Sequence, residues 1–283
     1  MYEIQGKEIR VSYDPADFTL VVRTKKAEWA FKKEPRIVLK SGEALRFSGA
    51  KCTHGAFRSG ITDGVQASYA FENGLTALTF VGLDKDTDRL RTEIYLENER
   101  DFSVETLEYP TALEFGAGQD CGYTAVPRMQ GTLIPAGYEE DFHWQGDHVL
   151  KRELIMPFFG QVRGDSGYLA IIDTPFDCLY TMNHDAGGDT EIYPVFMPSL
   201  ERIGYRRVML YDFRDGIDYV GMAKAYRRYK EEKGDVTTLR EKIARNGSVA
   251  KLIGAPIVHE GIAVHIDEKS VYYTPDHEAF CQL

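Results

Sequence analysis

Apolar and polar side chains alternate along most of this 283-residue chain, and this period-two pattern constrains the fold more than any other feature of the sequence. Each alternating segment places its apolar side chains on one face of a β-strand. Asn73 and Gly74 separate two such segments, a pair typical of a tight β-hairpin. The segments include Ile9, Val11 and Tyr13; Phe18, Leu20 and Val22; Val65, Ala67, Tyr69 and Phe71; and Leu90, Thr92, Ile94 and Leu96.

The alternation continues to about residue 215, which is too long for one immunoglobulin-like sandwich of about 100 residues. The sequence therefore predicts a mainly β fold class: a large antiparallel two-sheet sandwich over residues 1–215.

The hydrophobic period changes after Asp218, where apolar residues recur at spacings of three and four. This spacing predicts an amphipathic helix that begins after Asp218 and ends at Gly234. Thr238 and Glu241 form the S/T-x-x-E pattern of a capping box, which predicts a second helix. One further strand-like segment, "IVHEGIAVHI", follows the helices. The predicted buried stripe of the first helix is Tyr219, Met222, Ala223, Tyr226 and Tyr229.

The charge balance argues against several classes of partner. Asp and Glu number 44 against 34 Lys and Arg, for a net charge of −10, so nucleic acid and anionic membrane surfaces are disfavoured. The N-terminus lacks a basic segment followed by an apolar one, and no apolar run reaches the roughly 20 residues of a membrane span. The four cysteines are widely separated, which favours reduced thiols. We therefore expect a cytoplasmic protein.

The segment "MNHDAGGDTE" is the first candidate ligand site, because its polar side chains surround a Gly-Gly bend. His184, Asp185 and Asp189 could line a sugar cleft through hydrogen bonds to hydroxyl groups. Calcium is the alternative ligand of these oxygens, although their spacing does not follow the EF-hand register. A hydrophilic hairpin tip is the simplest explanation of the same residues.

The segment "EEDFHWQGDH" is the second candidate, with His143 and Trp144 as predicted sugar contacts. The indole of Trp144 offers an apolar ring for a pyranose and an N–H for a hydrogen bond. The alternative is a solvated acidic loop. We assign no metal ligand, because no metal-binding sequence motif is present.

A series of short motifs in the second half of the chain resembles bacterial glycoside hydrolases of the α-N-acetylgalactosaminidase type, families 129 and 101. The motifs, in order, are "MPFFG", "PSLERIGYRR", "DYVGMAKAYRRYK" and "LIGAP". The resemblance extends from Tyr109 to His265. It implies a galactose mutarotase-like supersandwich over residues 1–215, a helical linker over 216–255, and the truncated start of a TIM barrel over 256–283.

The resemblance also implies that the catalytic carboxylates belong to a barrel that is separate from or missing in this chain, so we predict no catalytic residue here. The expected function is a non-catalytic part of a glycosidase acting on α-linked N-acetylgalactosamine or related glycans, with a carbohydrate as partner and no cofactor. Two alternatives remain open. One is a free-standing carbohydrate-binding or scaffold protein. The other is an aldose epimerase that uses a His and a Glu as acid and base.

Overall fold

The computed structural model describes residues 1–32, 34–99, 103–116, 122–147 and 154–255. They form two compact units, the first spanning Met1–Tyr229 and the second beginning at Lys230. The predicted boundaries at residues 215 and 255 stay predictions. The segment 256–283, predicted to begin a barrel, lies outside the described residues.

Strands dominate the first unit, as the alternating sequence predicts. In chain order they are β1 (Tyr2–Gln5), β2 (Arg10–Asp14), β3 (Thr19–Arg23), β4 (Glu28–Ala30), β5 (Arg36–Leu39), β6 (Ala44–Arg46), β7 (Lys51–Arg58), β8 (Thr62–Ala70), β9 (Thr76–Asp84), β10 (Leu90–Glu97), β11 (Val104–Glu108), β12 (Gly122–Val126), β13 (Thr132–Pro135), β14 (Phe142–Asp147), β15 (Phe158–Arg163), β16 (Ser166–Ile172), β17 (Cys178–His184), β18 (Thr190–Phe196) and β19 (Arg207–Asp215).

Two large sheets and one small sheet contain these strands. The nine-stranded sheet has the order β13-β12-β15-β16-β19-β10-β9-β8-β7, and the six-stranded sheet has the order β14-β17-β18-β11-β5-β6. The small sheet is β1-β2-β3-β4. Neighbouring strands such as β9 and β10 pair antiparallel. The predicted fold class, a mainly β antiparallel supersandwich of the galactose mutarotase type, is confirmed.

The main core lies between the inner faces of the sheets. In β9, Ala77 and Val81 are buried in this core, whereas Leu78 and Phe80 alternate with them and are partly exposed. This is the period-two burial that the sequence predicts. Cys52 and Cys178 are free thiols.

A second apolar cluster lies on the outer face of the nine-stranded sheet, under helix α1 (Tyr219–Glu232). The carboxylate of Asp218 accepts a hydrogen bond from the Gly221 amide at 2.6 Å, which confirms the predicted cap. Met222 fits against Gly160, where an added Cβ would lie 2.7 Å from the Met222 Sδ. Glycine at this position therefore lets the helix approach the sheet.

The predicted stripe of α1 is partly wrong. Tyr219 is 51% exposed and Ala223 is exposed, whereas Ala225 is buried. The helix presents a face centred between Met222 and Tyr229 to the sheet, because the contact with Gly160 fixes its rotation.

The second unit contains helix α2 (Leu239–Arg245), whose predicted capping box is confirmed. The Thr238 hydroxyl accepts from the Glu241 amide, and the Glu241 carboxylate accepts from the Thr238 amide. These bonds lower the pKa of Glu241, because they favour its ionised form.

Candidate functional site

The first candidate segment forms the hairpin between β17 and β18. Three amides of its tip form hydrogen bonds. The Ala186 amide donates to the Asp141 carboxylate at 2.6 Å, the Gly187 amide to the Tyr138 carbonyl at 3.5 Å, and the Gly188 amide to the Asp185 carbonyl at 2.7 Å. Gly187 has φ of 69°, a left-handed conformation that favours glycine. The Gly-Gly bend therefore fixes the direction of the tip, on which Asp185 is exposed.

His184, one of the predicted sugar contacts, is buried at the end of β17. Its Nε2 lies 2.8 Å from the Tyr138 carbonyl, and its Nδ1 lies 2.9 Å from the Thr190 hydroxyl. A carbonyl only accepts hydrogen bonds, so Nε2 carries the proton in this pair. Phe142 stacks on the imidazole with ring centroids 5.2 Å apart. Both ring nitrogens of His184 are thus bonded within the protein.

Asp189 directly precedes β18 and binds groups from distant parts of the chain. Its carboxylate accepts hydrogen bonds from the Gly116 amide at 3.0 Å and from the Phe115 amide at 3.4 Å. Lys32 Nζ lies 3.1 Å from the same carboxylate and also binds Glu191. Both oxygens of Asp189, which we considered as sugar or calcium ligands, therefore face protein N–H donors.

Lys32 is partly buried between these two carboxylates. Burial alone would lower the pKa of the ammonium group, but the bonds to Glu191 and Asp189 outweigh it and raise the pKa. A raised pKa means that folding favours the charged lysine. The resulting stability is fully present below the ordinary lysine pKa and is lost as the pH rises through the higher folded value.

Replacing Lys32 by methionine is expected to lower the free energy of unfolding by about 1 kcal/mol at neutral pH, because two carboxylates would lose their cation. The matched control is Lys25→Met, which removes an exposed ion pair with Glu8 and should change stability little. Urea denaturation between pH 7 and pH 11 measures both variants. The difference between Lys32→Met and the unaltered protein should shrink only above about pH 10.5. If the two variants lost equal stability at pH 7, the partly buried Lys32 would stabilise the fold no more than an exposed ion pair does, and the prediction would be wrong.

The second candidate segment forms β14, and the pleat places its two predicted residues on opposite faces. Trp144 is directly opposite the buried Met182 and packs against the main core. The Arg128 guanidinium lies over the indole, 4.5 Å from the ring centroid. Phe142 lies beside the indole, with centroids 4.8 Å apart. Trp144 is thus half-buried at the inner side of the sheet.

His143 lies on the outer side of the same strand. Its Nδ1 forms a hydrogen bond with the Asn183 side chain on the neighbouring strand. The side chain of Asn183 also bonds to the Tyr193 hydroxyl group, whose pKa is raised by burial. Gln145 donates to Thr181 in the next cross-strand row. We call this surface the polar sheet face and define it as His143, Gln145, Thr181, Asn183, Glu191 and Tyr193.

The predicted residues therefore divide into three groups. His143 lies on the polar sheet face. Asp189 is connected to this face because Lys32 binds both Asp189 and Glu191. Asp185 lies at the exposed hairpin tip, and His184 and Trp144 lie on the inner side. Tyr193 and Lys32 were missed. Tyr193 could have been predicted from the sequence, because it lies two residues after Glu191 in an alternating segment and therefore on the same face of the strand.

Across the described ranges, no group of three or more His, Cys, Asp or Glu side chains is arranged to hold a metal ion. None of the helices in the described part of the chain combines the length and apolarity needed to cross a membrane.

No protein-family profile matches the sequence, and no curated protein matches it. The chain is similar to solved structures of the α-N-acetylgalactosaminidase NagBb from Bifidobacterium bifidum. With the Gal-NHAc-DNJ complex the TM-score is 0.85 at 27% identity over 98% of this chain. With the GalNAc complex it is 0.85 at 27% identity over 99%. With the ligand-free structure it is 0.83 at 27% identity over 98%.

The similarity confirms the resemblance predicted from the sequence motifs, now over nearly the whole chain. The chain spans 46% of the length of NagBb in the two complexes.

Proposed function

We propose that this chain is a non-catalytic part of a glycoside hydrolase acting on α-linked N-acetylgalactosamine or a related glycan. In this proposal residues 1–215 form a supersandwich that supports a catalytic barrel, residues 216–255 form the linker, and residues 256–283 begin the barrel. The observation that carries the proposal is the similarity to NagBb. The TM-score is 0.85, and the matched region covers 98% of this chain but only 46% of NagBb.

The chemistry required for glycoside hydrolysis supports a non-catalytic role. Retaining glycosidases place two carboxyl groups about 5–5.5 Å apart, and in a TIM barrel such residues lie at the C-terminal ends of parallel strands. The sandwich strands described above, such as β16 and β19, pair antiparallel. The ends of an antiparallel sandwich therefore carry loops and hairpins, and they do not form the ring of parallel strand ends that holds the carboxyl groups in a barrel.

The sandwich would also form part of the glycan cleft. His143 and Asp185 are exposed and available for hydrogen bonds to sugar hydroxyl groups. Tyr193 adds an aromatic ring to the polar sheet face. Asp189, His184 and Trp144 contribute indirectly, since their contacts within the protein hold the hairpin and β14 in place.

An activity assay on the purified chain tests the proposal. With an aryl α-N-acetylgalactosaminide as substrate, we expect no turnover above the buffer rate. A chimera of the full chain, residues 1–283, followed by the part of NagBb that this chain does not match is expected to hydrolyse the same substrate. Turnover by the chain alone that persists through stringent purification would contradict the non-catalytic role.

The epimerase alternative receives less support from the described histidines. His54 bonds to the Tyr2 hydroxyl, His143 bonds to Asn183, and His184 is bonded at both nitrogens. Polarimetry of galactose mutarotation in the presence of the chain tests this alternative directly.

A further inference from the structure

An open groove of about 460 Å³ crosses the outer face of the nine-stranded sheet over β7, β8, β9 and β10. Thr53, Ser68, Leu78 and Tyr95 are consecutive cross-strand partners and form one row of its floor. Strands lie about 4.8 Å apart, so a row over four strands is about 14 Å long. The groove is thus long enough for more than one sugar ring, and it is separate from the polar sheet face.

The lining of the groove combines apolar rings with neutral hydrogen-bonding groups. Gln66, Phe80 and Glu93 are consecutive partners in a second row beside the first. Phe80 and Tyr95 are only partly buried and offer ring surface to a ligand. Gln66 supplies an amide, and the first row supplies two aliphatic hydroxyl groups. A pyranose has the matching surface, with an apolar C–H face and hydroxyl groups around its edge.

The charged groups at one side of the groove balance one another. The Glu93 carboxylate is buried and binds both Arg91 and Arg206, with the Arg206 contact at 3.1 Å. Arg91 also lies 3.7 Å from Asp173. Two carboxylates therefore face two guanidinium groups, and the lining does not select a strongly charged ligand.

A strained hairpin borders the groove at its Tyr95 end. Tyr95 also lines an open space shared with the turn Ser199–Arg202. Leu200 and Glu201 have φ of 50° and 70°, although side chains rarely adopt this left-handed region. Leu200 is 92% exposed. Strained backbone of this kind concentrates at ligand-binding sites.

The base of this hairpin is held rigidly. The buried Glu99 carboxylate accepts from the Ile203 amide at 2.6 Å and from the Gly204 amide at 3.1 Å. Fixed contacts at the base maintain the strained tip, which continues the wall of the groove beyond Tyr95.

From this lining we propose that the groove on β7 to β10 is a binding site for a neutral oligosaccharide. One ring stacks on Tyr95, hydroxyl groups bond to Gln66, Ser68 and Thr53, and the chain of sugars continues toward Leu200. The site is additional to the polar sheet face and does not depend on the proposed glycosidase role.

Titration calorimetry of the full chain tests the proposal, with a galactose–N-acetylgalactosamine disaccharide and the two monosaccharides as probes. We expect the disaccharide to bind more tightly than either monosaccharide. Tyr95→Ala should weaken binding about tenfold, because the stacking ring is lost, whereas Tyr95→Phe should retain it. Tyr219→Ala, at an exposed tyrosine outside the groove, is the matched control. Far-ultraviolet circular dichroism confirms that each variant is folded.

Two results would overturn the proposal. One is the absence of binding heat with all three probes at millimolar concentration. The other is binding that Tyr95→Ala leaves unchanged and that Tyr193→Ala abolishes, since this would assign the sugar to the polar sheet face. The turnover assay is independent of both results, so failure of this site and failure of the proposed function are distinguishable.

Discussion

Replacing Trp29 by alanine is expected to lower the free energy of unfolding by about 3–5 kcal/mol, the usual cost of truncating a buried aromatic side chain. Trp29 is fully buried and joins the small sheet to the nine-stranded sheet. Its indole N–H donates to the Ser166 hydroxyl at 3.3 Å. Tyr168 meets the indole edge to face at 5.3 Å, and the Arg163 guanidinium lies 4.5 Å from its centroid. Alanine would leave a cavity and remove all three contacts.

Trp144→Ala is the matched control, since the other tryptophan of the chain is half-buried at an edge strand. We expect it to cost clearly less than Trp29→Ala. Trp29→Phe should fall between them, because it keeps a ring but loses the N–H donor. Guanidinium denaturation followed by circular dichroism measures all three variants. A loss below about 1 kcal/mol for Trp29→Ala would show that the small sheet is not held by this side chain.

The fold class follows from the sequence because side-chain alternation is a local property. Pairing of distant strands is not local: β10 lies between β9 and β19, and only one of these neighbours is adjacent in sequence. The ion pair of Lys32 is equally non-local, because Lys32 and Glu191 are 159 positions apart in the chain. No spacing rule predicts that pair, since it depends on how β18 is placed relative to the segment before β5.

The separation of His143 from Trp144 could have been predicted. Adjacent residues of a strand point to opposite faces, so the two side chains cannot belong to one sugar site once the segment is a strand. Burial of His184 could not have been predicted in the same way. It depends on the Tyr138 carbonyl and on Phe142, which the sequence places some forty residues earlier.

Replacing Arg207 by alanine is expected to cost about 3 kcal/mol of stability, because it removes a fully buried side chain and leaves two partly buried carbonyl groups without their donor. Arg207 is fully buried at the start of β19. Its guanidinium donates to the Met197 carbonyl at 2.9 Å and to the Phe176 carbonyl at 3.4 Å. The Tyr205 ring lies 3.6 Å from the guanidinium carbon. Burial lowers the pKa of Arg207, and the nearby Tyr205 and Asp177 act in the opposite direction.

Arg206→Ala is the matched control, because the neighbouring arginine side chain is 73% exposed. We expect it to change stability by less than about 1 kcal/mol, because Arg206 is exposed and the Glu93 carboxylate that it binds keeps its contact with Arg91. Thermal and urea denaturation of both variants provide the comparison. Equal losses would mean that the buried guanidinium contributes no more than a surface charge.

Arg207→Lys separates the charge of the side chain from its shape. Lysine keeps the positive charge, but it cannot reach two carbonyl groups with a planar fork or stack on Tyr205 in the same way. We therefore expect a loss of about 1–2 kcal/mol, between those of Arg206→Ala and Arg207→Ala.

The Arg207 guanidinium also connects the two ends of the segment from Phe176 to Met197, which precedes the hairpin that carries Leu200. Calorimetry of Arg207→Lys should consequently show weaker disaccharide binding in the groove even at temperatures where the variant is fully folded. Unchanged binding would mean that the Glu99 contacts alone position the hairpin.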